Sequence, residues 1–112
     1  MSSEFTHWLV EQMQVIGPVT ARRMFGGQGL FIDGLMFAII FDDQLYLKAD
    51  DHSRQAFLDQ GLEPFTYLRQ GKRCALSYYQ APDELLAESP ESLELMRLWG
   101  NAAYGAALRS RR

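Results

Sequence analysis

Disulfide bridging, zinc ligation and membrane crossing all lack material in this sequence. Its 112 residues hold one cysteine, Cys74, and two histidines, His7 and His52. A lone cysteine cannot form an internal disulfide and suits a reducing compartment, read here as the cytoplasm. Two isolated histidines and one cysteine, with no spacing of three or four residues among them, do not make a recognisable zinc site, so neither metal nor cofactor is expected. The longest nearly uncharged apolar run, residues 34–41, is far shorter than the ~20 residues of a membrane helix. Residues 1–12 lack the basic and apolar regions of a secretory leader. No membrane association is expected. Positive charge is scarce too, since 11 Lys and Arg against 14 Asp and Glu leave a net charge of −3. That balance counts against nonspecific nucleic-acid binding, which needs several phosphates neutralised. Repeats, linkers and low-complexity stretches are absent.

What is present suits one globular domain spanning residues 1–112, with 47% hydrophobic and 22% charged residues. A first helix is expected where Ser3 can cap and Phe5, Trp8, Leu9, Met13 and Ile16 fall on one helical stripe, ended by Gly17-Pro18. Four strands follow at 20–25, 30–32, 35–41 and 44–49. Asp33-Gly34 signals a tight hairpin turn and Asp42-Asp43 a second, so these strands read as an antiparallel meander. Asp50 or Asp51 caps a short second helix that ends at Gly61. Residues 65–68 and 73–79 form another hairpin with Gly71 in its loop, and Cys74, Leu76 and Tyr78 share its inner face. A short helix opens with Pro82 at its first position, and the last helix runs over 90–108. The fold class is therefore α+β: an antiparallel sheet of five to six strands with a β-meander, and helices at both termini packed on it. The expected core is Trp8, Leu9, Met13, Phe25, Leu30, Ile32, Phe37, Ile39, Leu45, Leu47, Phe57, Leu76, Tyr78, Leu95 and Trp99.

Catalytic chemistry finds little support. Nucleophilic catalysis would need Cys74 beside His7 or His52, whereas a lone strand cysteine is most often a small core residue. Gly26-Gly27-Gln28-Gly29 joins two strands instead of leading into a helix, and it lacks the Lys of a phosphate loop, so a tight connection or bulge is the better reading. No catalytic residue is assigned. Arg22-Arg23, the group Arg69, Lys72 and Arg73, and the terminal Arg109, Arg111 and Arg112 could each form a basic patch or be solvated side chains. With Tyr67, Tyr78 and Tyr79, the middle group could also make a base-stacking sheet for direct nucleic-acid binding.

The run Arg22-Arg23-Met24-Phe25-Gly26-Gly27-Gln28-Gly29-Leu30-Phe31 resembles the amino-terminal domain of the TfoX/Sxy family of competence regulators. Met36-Phe37-Ala38, Leu45-Tyr46-Leu47-Lys48, Pro64-Phe65-Thr66-Tyr67, Ser77-Tyr78-Tyr79 and Pro82-Asp83-Glu84-Leu85 follow in the family's order. Trp99, Ala102-Ala103 and Ala106-Ala107 suit its last helix. The resemblance implies helices packed on an antiparallel sheet and a non-enzymatic role in regulating DNA-uptake genes. Its implied partner is the cyclic-AMP receptor protein, and RNA polymerase is a second candidate for a protein-contacting module. It supplies no catalytic or ligand residues, and its motif positions are fold determinants first. Two-domain members carry a helical carboxy-terminal domain, whereas this sequence, ending at Arg112, is expected to be a stand-alone version. A homodimer is a further expectation, made through an open sheet edge or through the small-residue row Gly100, Ala103 and Ala107.

Overall fold

The computed structural model describes residues 3–24 and 26–111. The Ser3 side chain, read above as a cap, lies outside the described residues, as do Phe25 and Arg112. Helix α1 (Ser3–Gln12) ends in a 3-10 turn at Met13–Val15, and strands β1 (Thr20–Met24), β2 (Gly27–Ile32), β3 (Leu35–Phe41) and β4 (Gln44–Lys48) follow. The short helix α2 (Arg54–Asp59), strands β5 (Pro64–Arg69) and β6 (Lys72–Gln80), a 3-10 turn at Asp83–Leu86 and helix α3 (Pro90–Ser110) complete the chain.

The strands form one open antiparallel sheet in the order β1-β2-β3-β4-β6-β5, so the architecture is α+β with six strands. Two-residue turns close its hairpins. Asp33 and Gly34 take φ of 53° and 78°, and Asp42 and Asp43 take 54° and 59°. Positive φ at both central positions is what a turn matching the strand twist requires. Gln70 and Gly71, at 53° and 79°, make a third. Here strands and turn replace the four-residue polar loop expected at 69–72, because β5 and β6 stay paired out to Arg69 and Lys72.

The helices cover one sheet face. Leu9, Met13, Leu30, Ile32, Phe37, Ile40, Leu45, Leu47, Phe57, Leu85 and Met96 form the core beneath them. Phe37 enters it through an irregularity, since the β2–β3 register shifts between Leu30 and Phe31 and leaves Phe37 unpaired on β3. Trp8, Leu95 and Trp99 are half-buried at the core margin instead of within it. The short helix at Pro82 is a single 3-10 turn, with Pro82 as the extended residue just before it. Helix α3 starts at a reciprocal cap in which the Ser92 amide donates to Ser89 Oγ (3.1 Å) and the Ser89 amide donates to Ser92 Oγ (2.9 Å).

The small row on α3 is not an intermolecular surface. Gly100, Ala103 and Ala107 are buried within the protomer, and a Cβ on Gly100 would run into the Ile16 side chain. Gly105 differs, because a Cβ there would meet only the tip of Arg109, at 3.4 Å. Gly105→Ala is therefore expected to raise stability by roughly 0.5–1 kcal/mol through helix propensity. Gly100→Ala should lose that gain against Ile16 and lower the urea midpoint.

Candidate functional site

Among the described residues no helix lies on the opposite sheet face, and its cover comes from its own side chains. Ile39, Phe65 and Tyr78 are buried there, with Met36, Phe41, Tyr46 and Leu76 packed around them. The Phe65 ring meets Phe41 at 5.4 Å and Tyr46 at 5.1 Å, both edge to face, which is the favoured aromatic geometry. Burial pushes the Tyr78 hydroxyl pKa up to about 12, and its O–H donates to the Met36 carbonyl at 3.4 Å. Tyr46 is raised as well, mainly by burial and then by the charges of Asp42 and Glu63. Neither phenol ionises near neutral pH, so the face offers apolar area and hydroxyl donors but no acid–base chemistry.

The glycine-rich motif builds one end of this face. Arg22 pairs with Gly29 across β1 and β2, and its guanidinium lies 4.6 Å from the Phe31 ring centroid. A Cβ on Gly29 would sit 2.6 Å from Met24 Sδ and 2.7 Å from Met36 Sδ, so the missing side chain is the space those methionines occupy. Gly27 lies so close to the Ile40 carbonyl oxygen that a Cβ would collide with it, and Gly26 has φ of 79°. Arg23, one residue from Arg22, points to the other face because strand side chains alternate. The two arginines therefore do not form a joint patch.

At the other end the β5–β6 hairpin is open to solvent. Arg69 and Lys72 stand directly opposite each other, while Arg73 pairs with Leu68 on the other face and donates to Thr66 Oγ1 at 2.8 Å. The three cations thus split two to one across the sheet. Their tyrosines split as well. Tyr67 is exposed, Tyr78 is buried on the helix-free face, and Tyr79 stacks on Phe57 at 5.4 Å under the helices. A continuous base-stacking platform of Tyr67, Tyr78 and Tyr79 is not formed. Ser77 accepts from Lys48 Nζ at 2.6 Å.

Cys74 is half-buried near the open hairpin tip instead of lying in the core. It stands opposite Tyr67, and its thiol lies 3.9 Å from the Lys72 carbonyl oxygen. His52 belongs to the helix layer, where it lines a cleft of about 650 Å³ with Asp50, Asp51 and the end of α3. The structure does not bring the thiol and that imidazole together. Among the described residues, no three His, Cys, Asp or Glu side chains cluster as metal ligands, and no helix is long and apolar enough to cross a membrane.

The cleft's carboxylate is already engaged. Asp50 accepts Arg109 Nε at 2.5 Å, the His52 amide at 3.0 Å and the Ser53 amide at 3.1 Å. The Arg109 hydrogen bond above all, followed by the Ser53 amide, holds its pKa well below the usual carboxylate range against the opposing effect of burial. Asp50 therefore caps the turn into α2 and anchors the end of α3.

The family described as the TfoX N-terminal domain matches residues 11–107. Protein Sxy of Escherichia coli is 31% identical over 88 residues, covering 79% of this chain and 41% of that protein. DNA transformation protein TfoX1 of Aliivibrio fischeri is 31% identical over 78 residues, covering 70% and 37%. DNA transformation protein TfoX of Haemophilus influenzae is 37% identical over 75 residues, covering 65% and 35%. The chain spans about two-fifths of the length of these curated relatives.

Two measurements check this geometry. Gly27→Ala should be the costliest change in the motif, about 2 kcal/mol or more, because its obstacle is backbone in a paired strand. Gly26→Ala should cost on the order of 1 kcal/mol through its positive φ, with Gly29→Ala between them as the methionines shift. The second concerns pH. A carboxyl whose folded pKa is depressed stabilises fully above its unfolded value of about 3.9 and loses that contribution as pH falls further. Asp50→Asn should lower the unfolding free energy by on the order of 1 kcal/mol at pH 7. The deficit should shrink steadily below pH ~4 in urea titrations.

Proposed function

Because the chain belongs to the TfoX N-terminal domain family, we propose that residues 1–112 act as one non-enzymatic interaction domain in the regulation of competence and DNA-uptake genes, working in the cytoplasm. The observation that carries this reading is the match over residues 11–107, with relatives named as DNA transformation proteins. Its candidate partners are the cyclic-AMP receptor protein, RNA polymerase and a second copy of the chain. The physical chemistry agrees with protein contact more than with nucleic acid. Net charge is −3, the hairpin cations point to both faces, and the helix-free sheet face is lined by half-buried apolar side chains. In this reading Arg22, Arg23, Met24, Gly26, Gly27, Gly29, Ser77, Tyr78, Tyr79 and Pro82 are fold determinants, and Phe25 is assigned with them from its place in the motif. Arg69, Lys72 and Arg73 are partner contacts at the rim.

Pull-down with purified cyclic-AMP receptor protein and RNA polymerase, between about 50 and 300 mM salt, tests the reading. Retention of either protein with little salt dependence is the expected result. Retention of neither, with duplex or single-stranded DNA bound along a steep salt slope and released by Arg69→Gln, Lys72→Gln and Arg73→Gln together, would replace it with direct nucleic-acid binding. Turnover in a hydrolase and transferase screen that Cys74→Ser abolishes without unfolding would make the chain an enzyme instead.

A further inference from the structure

We propose that two copies of the chain join through β5, pairing antiparallel about a two-fold axis at Thr66, with Glu63 of each copy set against Arg69 of the other. This deepens the self-association named above and is independent of the regulatory reading. Strand β5 is the last strand of an open sheet, paired with β6 on one side and, among the described residues, bordered by no strand on the other. The direction of its backbone groups follows from two observations. The Glu63 carbonyl accepts from the Gln80 amide at 2.9 Å, and Arg69 and Lys72 flank a two-residue turn. Odd-numbered residues therefore direct their N–H and C=O toward β6, and Pro64, Thr66 and Leu68 direct theirs to the open side.

That open side is self-complementary, as a two-fold contact must be. With Thr66 facing Thr66 of the partner subunit, the two amides and carbonyls bond reciprocally. The Leu68 amide then donates to the carbonyl of Pro64 of the partner subunit, and the reciprocal bond is not made, because proline has no N–H for the Leu68 carbonyl, which is left to water at each end of the ladder. The other even-residue contact sets Leu68, which is 68% exposed, against the ring of Pro64 of the partner subunit. On the helix-free face Tyr67, 37% exposed, lies opposite Phe65 of the partner subunit, which extends the apolar groove of about 430 Å³ formed by Phe41, Phe65 and Leu76 with the edge residues Thr66, Tyr67 and Leu68. At each end the exposed Glu63 faces Arg69 of the partner subunit. Moving the register by two residues in either direction shortens the overlap and separates those charges, so the sequence selects this one. Along residues 64–68 the edge offers no charge, and it places one charge of each sign at the two ends; its only guards there are Pro64 and the register irregularity between Pro64 and Thr66, which leave Thr66 to Leu68 open.

Light scattering of the full chain from low to high micromolar concentration, with circular dichroism to confirm folding, tests the proposal. The expected result is a dimer mass at high concentration. Glu63→Arg places Arg against Arg and Arg69→Glu places Glu against Glu, so each variant alone should dimerise at least tenfold more weakly. An equimolar mixture of the two should dimerise again, as should the double variant E63R/R69E, because the pairing is restored with its signs exchanged. Leu68→Asp, at an exposed position opposite Arg73 of β6, should give a folded monomer. A constant monomer mass for the unaltered chain would overturn the proposal. A dimer indifferent to Leu68→Asp and to the charge exchange would overturn it equally, whatever the pull-down shows.

Discussion

Ile39 and Ile40 are adjacent on β3, their side chains leave the sheet in opposite directions, and both are almost wholly removed from water, at 0% and 2% exposure. A central strand buried on both faces needs two covers, each withdrawing side chains worth on the order of 2–3 kcal/mol apiece from solvent. One cover is conventional, with α1, α2 and α3 laid over Ile40, Leu45 and Leu47. The other is made within the sheet by the rings of Phe41, Tyr46, Phe65 and Tyr78. The hollow at Gly29, filled by Met24 and Met36, serves that second cover. This explains why three glycines in four residues belong to a hairpin turn and an interior strand and not to a ligand loop. Each removes an obstacle to close packing or to a left-handed turn.

Much of the architecture is legible in the sequence because its signals are local. Asp33-Gly34 has the chemistry of the turn it forms, and the α1 stripe and the Ser89-Pro90 start of α3 are read from neighbouring residues alone. The two-sided burial is partly legible, since residues 35–41 form a continuous apolar run and not an alternating one, and such runs mark strands covered on both faces. What assigns Phe41, Phe65 and Tyr46 to a shared cluster is the β4–β6 pairing, and no local pattern encodes it. Cys74 was misplaced for the same reason. Alternation puts it correctly on a face with Leu76 and Tyr78, but burial along that face fades toward the hairpin tip, beyond the reach of β4. Gly100 has the opposite history. Its small size marks a close approach, and only the tertiary fold reveals that the approaching group is Ile16 of the same chain.

The basic residues show how strand periodicity limits inference from clusters in sequence. Arg22-Arg23 and Lys72-Arg73 are adjacent along the chain, yet adjacency in a strand sends side chains to opposite faces. Each pair therefore supplies one cation to the helix-free face and one to the other. Arg22 lies over Phe31, and Arg73 bonds Thr66. A concentrated positive field of the kind that attracts a polyanion is not assembled from either pair.

The strand order also determines where the entropy of folding falls. Every pairing in the sheet but one joins strands that follow each other across a two-residue connection, and those hairpins close with little loss of chain freedom. The exception is β4 with β6, which brings together Tyr46 with Gln80, Leu47 with Tyr79 and Lys48 with Tyr78, residues roughly thirty positions apart. Topologically, the molecule is a four-stranded unit and a two-stranded unit joined along one short seam. The long loop closure is concentrated there, and α3 spans it, packing on β3 and β4 and also on the 3-10 turn at Asp83–Leu86 that continues from β6. The helix that ends the chain thus acts as a latch on the least local pairing in the sheet.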